Sequence, residues 1–453
     1  MASTLADGTT RIEVTLELDD IQATVLRPRP APYWGTYIML HVYDPNVGRE
    51  LIRRLTPYVA SSADWWEQRA AWIALTFSYT GLKALGVPQA SLDSFPEAFK
   101  QGMAARADHL RDFGENAPEH WDLPFGTGDI HLAVAVYSDT EEKWRHALTV
   151  AREQYQGLAG ISVLALQDFG AQPDGRNSLG YKDGIGQPVV EGSGVEAMPG
   201  QGPAIVAGEF VLGYPGLTGL PPPAPSPGVL GRNGTFVGLR KYQTRVGAFN
   251  RFLHANGETE AERELLAAKM VGRWRSGAPL ALAPDKDDPA LGENWQRNDD
   301  FTYANDQAGR ITPRGCHMRR MNPRDTEMAQ LTDVSLHRII RRGTAFGRPY
   351  DPNALSEADD EGAGVYFLFL GAHVMSTIEF LQSEWINDGN FMAIGHERDP
   401  ILGLQEPGDI FTIPRDPVRK RLQGIETFNV MKGGEYLFMP SLSALKWLGT
   451  LDG

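Results

Sequence analysis

Two short stretches, far apart in the chain, carry residue types that could do chemistry. The first is Gly180-Tyr181-Lys182-Asp183-Gly184-Ile185-Gly186. It offers one carboxylate among glycines. Glycine tolerates positive φ and lets backbone approach a flat ligand closely. Backbone N–H groups around Ile185 could therefore meet an anionic group of such a ligand, with Asp183 beside it. Lys-Asp-Gly is equally the composition of a surface turn. Gly184-Ile185-Gly186 lacks the third glycine of a dinucleotide fingerprint. The second stretch runs from Thr312 to Arg324, TPRGCHMRRMNPR, and is followed by Arg341-Arg342-Gly343. It offers one histidine, His317, a thiol beside it, Cys316, and several guanidinium groups that stay charged at working pH. A histidine or a thiolate can ligate iron. A fixed cation favours the ionised form of a nearby carboxylate.

The remaining residues narrow the field. None of the ten histidines stands in a His-Glu-x-x-His pair or another zinc spacing. The single cysteine, Cys316, excludes an intrachain disulfide framework and any cysteine cage for zinc or iron–sulfur clusters. It fits a reducing compartment. A net charge of −14 argues against nucleic acid and against anionic membrane surfaces. The polar, acidic start, MASTLADGTTRIEVTLELDD, has no basic-then-apolar run, and no apolar stretch is long enough to span a bilayer. The expectation is a cytoplasmic protein.

The elements that must position these residues read as follows. Thr36 to Tyr43, Ala70 to Tyr79, Ile130 to Tyr137 and Ile161 to Leu166 are strand-like. Residues 80–106 are helical but broken near Pro88 and Pro96. Asp139-Thr140-Glu141-Glu142 predicts a capping box and a helix to about residue 157. The order β-α-β-β-α-β is ferredoxin-like. The second half repeats it: strands at 235–243, 337–342, 365–370 and 436–440, with helices at 244–272 and 375–386. The fold class is therefore α+β, with duplicated ferredoxin-like antiparallel sheets and peripheral helices. The division is 1–205 and 206–453, with the stiff LPPPAPSPG loop at 220–228 near the boundary. Residues 284–310 and 350–363 read as polar loops.

The two stretches together resemble the signature of the dye-decolorizing peroxidases, a haem enzyme family. Gly180 to Gly184 matches the family's Gly-x-x-Asp-Gly motif in full, and Gly315 to Arg324 resembles its histidine segment. Thr312 and Cys316 stand where the family often has cysteine and alanine. Leu18 to Gln22, Gly208 to Pro215, Ala268 to Trp274 and Gly433 to Leu448 extend the resemblance over nearly the whole chain. It implies a duplicated ferredoxin-like barrel holding haem b, with His317 rather than Cys316 as the metal ligand. Asp183 and Arg341 become the catalytic pair. The aspartate moves a proton between the two oxygens of hydrogen peroxide, and the arginine holds it ionised. Gly184, Ile185, Gly186, Arg319 and Phe367 become haem contacts. An acid that pairs with the histidine is expected on the helix at 376–382, with Glu379 preferred and Glu384 and Asp388 as alternatives. The implied activity is reduction of hydrogen peroxide, with bulky organic donors such as dyes and phenols oxidised in one-electron steps through a ferryl intermediate. Two other readings remain open: a haem enzyme acting on one defined substrate, and a non-enzymatic haem carrier or shell cargo. A homo-oligomer is possible.

Overall fold

The computed structural model describes residues 3–4, 10–11, 15–65, 71–170 and 175–451. Most of the acidic start, Ala70 of the second expected strand, and Asp452 and Gly453 lie outside them.

Runs of β-branched and aromatic residues build the eight strands of the main sheet: β1 (Trp34–Val42), β2 (Ala71–Phe77), β3 (Leu132–Ser138), β4 (Ile161–Gly170), β5 (Thr235–Thr244), β6 (Ile340–Gly347), β7 (Ala363–Gly371) and β8 (Asn429–Met439). All eight join one antiparallel sheet in the order β4-β1-β3-β2-β8-β5-β7-β6. Each half repeats one pattern, with its fourth, first, third and second strands side by side. That is the ferredoxin-like order, twice. The halves meet where Phe77 of β2 pairs with Phe438 of β8. The outer strands β4 and β6 approach each other, so the sheet curls towards a barrel. Aromatic rings fill its interior. The Tyr37 ring lies 4.5 Å from Phe169 and 5.3 Å from Tyr366, which ties β1 to β4 and β7.

Helices cover the outer faces: α1 (Pro45–Leu55), α2 (Glu141–Tyr155), α3 (Val246–Asn256), α4 (Glu260–Val271), α5 (His317–Met321), α6 (Val374–Phe380) and α7 (Leu442–Gly449). Residues 80–106 form short pieces, with new helices starting after Pro88 and Pro96. The α2 cap is Thr140, whose Oγ1 accepts the Lys143 N–H, while Asp139 pairs with the Lys143 ammonium at 2.8 Å. The strand expected at 337–342 begins only at Ile340. Residues 334–337 form a tight turn instead, because Asp333 accepts the Ser335 N–H and the His337 ring stacks on Phe380 at 4.5 Å.

Strand alternation sorts the second half into two faces. Tyr366 and Thr344 point inward, and Tyr37 Oη lies 3.2 Å from Thr344 Oγ1. Arg341, Gly343, Phe367, Phe369 and Arg240 share the outer face in register. That outer face is the floor of the site.

One buried acid is not explained by an ion pair. Glu435 on β8 is buried, its one hydrogen bond among the described residues is from the Tyr436 N–H at 3.2 Å, and burial pushes its carboxyl up to about 8. The unfolded chain releases this proton near the ordinary glutamate value. Between the two values the folded state binds more protons, so stability falls as pH rises through that window. Glu435→Gln is expected to raise unfolding free energy by about 2–4 kcal/mol near pH 8. Near pH 4 it should change little. Urea unfolding at the two pH values checks the difference.

Candidate active site

The Asp183 loop is shaped by its own sequence. Asn177 starts a tight turn: its Oδ1 accepts the N–H groups of Leu179 and Tyr181 at 3.0 and 3.1 Å. Gly180 has φ of +80°, and a side chain there would strike the Tyr350 ring. Lys182 N–H then donates to Arg275 O at 3.0 Å, which seats the loop on the second half. Asp183 emerges with one oxygen, Oδ1, accepting the Gly184 N–H at 2.7 Å. Its Oδ2 accepts from Arg29 Nη2 at 3.1 Å. Arg29 is held in turn. Its Nε donates to Gly343 O at 2.8 Å, and its guanidinium lies 3.9 Å over the Tyr33 ring. A Cβ at Gly343 would sit 3.0 Å from Asp183 Oδ2, a tight approach that would press on the carboxylate.

Arg341 was expected to be the cation that holds Asp183. The structure gives that contact to Arg29. Arg341 Nη2 donates to Ile185 O at 2.9 Å and Gly186 O at 3.3 Å, so it pins the loop just after Asp183. Burial lowers its pKa, and the charges of Asp183 and Asp299 oppose that shift. Arg342 faces the other way and donates to Thr24 O and Val25 O.

His317 opens α5. Arg320, one turn on, is fully buried and fastens the helix to the 385–397 segment by donating to Trp385 O at 2.7 Å and to Glu397 O. That segment delivers Asp399, whose backbone N–H donates to Ile386 O at 2.9 Å. His317 Nδ1 lies 2.8 Å from Asp399 Oδ2. Asp399 Oδ1 accepts the Ile401 and Leu402 N–H groups at 2.8 and 2.9 Å. Burial opposes charge on Asp399, but His317, Arg320 and these donors outweigh it and hold the carboxyl below its usual value. The acceptor fixes the proton on Nδ1 and leaves the Nε2 lone pair available. Nε2 makes no hydrogen bond among the described residues.

Two expected contacts are corrected. Glu379 does not reach His317. It sits on the far side of α6 and binds Arg106 through both oxygens, with Tyr436 Oη donating at 3.0 Å. A nearby guanidinium outcompetes a distant imidazole. Glu384 and Asp388 do not partner His317 either. Arg319 turns away from the site, is buried beside the Tyr303 ring, and donates to Asp306 O and Thr312 O at 2.9 and 2.8 Å. It braces the 304–312 loop.

Asp183, Gly184, Ile185, Gly186, His317, Arg341 and Phe367 all line one cavity of about 250 Å³. Its walls are mainly apolar, with Met318, Ile339, Val365, Phe369, Ile378 and Leu381 among them. A second cavity of about 370 Å³ shares Asp183, Gly186, Arg341 and Phe367 with the first. At one end four guanidinium groups gather around Gly186. Arg338 donates to Gly186 O at 2.9 Å and Arg341 at 3.3 Å, while Arg273 and Arg324 hold Asp299 beside Gly186. Burial, then the Arg341 charge, push Arg338 down to about 10.

Residues 20–164 match the family described as the DyP dimeric alpha+beta barrel domain. A dye-decolorizing peroxidase of Exidia glandulosa is 32% identical over 95% of this chain and 87% of its own length. The chain belongs to the dye-decolorizing peroxidases. A second member of the family, from Mycena epipterygia, is 32% identical over 82% of this chain and 75% of its own. The fold agrees. The crystal structure of a fungal DyP-type peroxidase from Auricularia auricula-judae covers 96% of this chain and 100% of its own, with a TM-score of 0.82 and 28% identity. A dye-decolorizing peroxidase in complex with 2,6-dimethoxyphenol superposes with a TM-score of 0.82 at 27% identity, covering 96% of this chain and 100% of its own. No helix among the described residues is long and apolar enough to cross a membrane.

Dye-decolorizing peroxidases are haem enzymes, and the cavity suits that group on its own evidence. A flat apolar disc needs apolar walls, one axial nitrogen and cations for its carboxylates. The walls are mainly apolar, Nε2 of His317 makes no hydrogen bond among the described residues, and four guanidinium groups gather around Gly186, two of them bound to Asp299. The sequence alone did not single out Asp399, Arg29 or Asp299. Of these only Asp399 carries a local signal, the turn-forming Asp399-Pro400 pair.

Asp399→Asn keeps an acceptor for Nδ1–H but removes the charge. Haem affinity is expected to fall about 10–100-fold. Transfer of haem to a competing scavenger protein measures it, and an unchanged transfer rate would separate Asp399 from cofactor binding.

Proposed function

We propose that this chain binds haem b through His317 and uses it to reduce hydrogen peroxide while oxidising phenols, dyes or similar organic donors. The observation that carries the reading is the His317–Asp399 pair with its free Nε2, in the same cavity as Asp183 and Arg341. When bound, the haem supplies the iron at which peroxide is cleaved and the store for two oxidising equivalents.

The chain's own groups do the rest. Asp399 keeps the His317 proton on Nδ1 and makes the imidazole a stronger donor. An Asp183 oxygen takes a proton from one peroxide oxygen and returns it to the other, so the leaving oxygen departs as water. Arg29 and Arg341 provide fixed positive charge where negative charge develops. Phe367 and Val365 keep bulk water from the reacting atoms. Gly184, Ile185 and Gly186 shape the rim against the cofactor. The second cavity, which reaches the same Asp183, is the route by which a small peroxide arrives. The division into 1–205 and 206–453 follows the two strand sets, with the Asp183 loop of the first part laid over the second.

The test is an absorption spectrum of the haem-loaded protein before and after one equivalent of peroxide. A histidine-type Soret band that shifts on mixing, with a phenol then restoring it, is the expected result. A protein that takes up no haem would overturn the assignment of His317. Haem uptake without a response to peroxide would favour a carrier or an enzyme gated by one defined substrate.

A further inference from the structure

The second cavity is larger than the passage of hydrogen peroxide requires. That molecule needs about 60 Å³, twice the share of one water in the liquid. The cavity measures about 370 Å³. That lies within the roughly 300–1,000 Å³ range of sites that take a whole organic molecule. The cavity has two ends. Its inner end is shared with the first cavity and carries Asp183, Arg341 and Phe367. Its outer part is its own and is lined by Leu26, Pro28, Val190, Val195, Met198 and Trp295. Leu26 and Val190 are buried and Trp295 is 47% exposed, so this wall runs from the interior to the surface. The Lys182 ammonium lies 5.1 Å from the centre of the indole and 2.6 Å from Glu293, which tethers Trp295 at the opening. Such a wall gains free energy when an apolar body covers it, and gains nothing from a small polar solute passing by.

Charge narrows the class of occupant. Three guanidinium groups line the cavity, Arg29, Arg341 and Arg342, against three carboxyl groups, Asp183, Glu196 and Asp299. The guanidinium groups are also engaged: Arg29 by Asp183 and Gly343 O, Arg341 by Ile185 O, Arg342 by Thr24 O and Val25 O. Balanced charge favours a neutral molecule over an anion. With its apolar body on the outer wall, such a molecule presents its other end to Asp183. The head that suits a proton-transferring carboxylate there is a hydroperoxide.

We propose that the second cavity binds neutral organic hydroperoxides, R–OOH with a compact aryl or branched alkyl R, and that the enzyme reduces them as well as hydrogen peroxide. The proposal rests on the haem peroxidase reading above. An Asp183 oxygen takes the one O–H proton and returns it to the carbon-bearing oxygen. The O–O bond breaks with both electrons going to that oxygen, which leaves as the alcohol R–OH. The terminal oxygen ends as water once two organic donors have each supplied one electron and one proton.

Cumene hydroperoxide is the probe. With the haem-loaded enzyme and a phenol donor it should yield 2-phenyl-2-propanol, the product of two-electron cleavage. One-electron cleavage of the O–O bond gives acetophenone instead. The unreactive alcohol should also bind the resting holoenzyme, read by calorimetry. Val195→Trp fills the outer part of the cavity. It should weaken that binding and lower kcat/KM for cumene hydroperoxide, relative to that for hydrogen peroxide, by about tenfold or more. Met198→Phe narrows the same part and replaces Val195→Trp if that variant folds poorly. Acetophenone as the main product, or a ratio that the variants leave unchanged, would overturn the proposal and leave the cavity as a passage for hydrogen peroxide alone. No response to either peroxide is a different result: it removes the peroxidase reading, and this site with it.

Discussion

Asp183→Asn is expected to slow the reaction with peroxide by about 10²–10⁴-fold while leaving haem binding and the ferric Soret band unchanged. The argument is geometric. Asp183 Oδ2 is the acceptor for Arg29 Nη2, and Oδ1 is the acceptor for its neighbour's N–H. Asparagine keeps the shape and one acceptor oxygen, so the loop set by Asn177 and Gly180 should survive. What asparagine lacks is the ability to take a proton and give it back. The variant therefore separates proton transfer from architecture. Rapid mixing with peroxide, followed at the Soret band, gives the rate directly, and donor oxidation in the steady state should fall in parallel. Equal rates in variant and wild type would remove Asp183 from the mechanism. They would shift attention to Arg29 and Arg341, which can stabilise charge but cannot move a proton at working pH.

Local patterns carried part of this far and no further. The strands were readable because β-branched and aromatic runs such as Ile130 to Tyr137 leave few other options. Their lengths were not: β4 continues to Gly170 and β8 starts back at Asn429, because pairing with β1 and β5 orders residues whose own preference is weak. The joining of two four-stranded sets through Phe77 and Phe438 depends on packing between distant residues and leaves no local trace.

The site divides in the same way. Asp183, His317 and Arg341 stand in short segments with distinctive neighbours. Their partners do not. Asp399 lies 82 residues from His317, and Arg29 lies 154 residues from Asp183. Single acids and single arginines have no spacing to reveal them. Glu379 illustrates the error this invites. An acid amid apolar residues on a nearby helix resembles a histidine partner, yet its counter-charge is Arg106, 273 residues away in sequence. Arg319 misleads for a related reason: adjacent to the His317 turn, it serves the loop behind that turn.

The floor of the cavity supplies the second large effect, and it is one of stability. Arg240 on β5 and Asp112 form a pair with both side chains fully buried, Nη1 to Oδ2 at 3.0 Å and Nη2 to Oδ1 at 2.5 Å. Arg240 Nε also donates to Tyr242 Oη at 2.7 Å, and Tyr242 lines the same cavity as His317 and Asp183. Burial opposes the guanidinium charge, but Asp112 and Tyr242 outweigh it and hold the Arg240 pKa above its usual value. Asp112→Ala leaves that charge buried without a counter-ion. The expected cost is about 3–5 kcal/mol, since breaking a buried pair exposes the full desolvation penalty of the survivor. The paired change Asp112→Ala with Arg240→Met removes both charges and should recover most of the loss. Urea unfolding of the wild type, both single variants and the double variant reads the coupling as a double-mutant cycle. If the pair only filled space, Asp112→Ala alone would cost no more than the small cavity it leaves, and adding Arg240→Met would make matters worse. Recovery in the double variant would instead show that the charge was the problem. On haem-loaded protein only the variants carrying Arg240→Met remove the donor to Tyr242, so they and not Asp112→Ala alone should shift the Soret band, with His317 and Asp183 untouched.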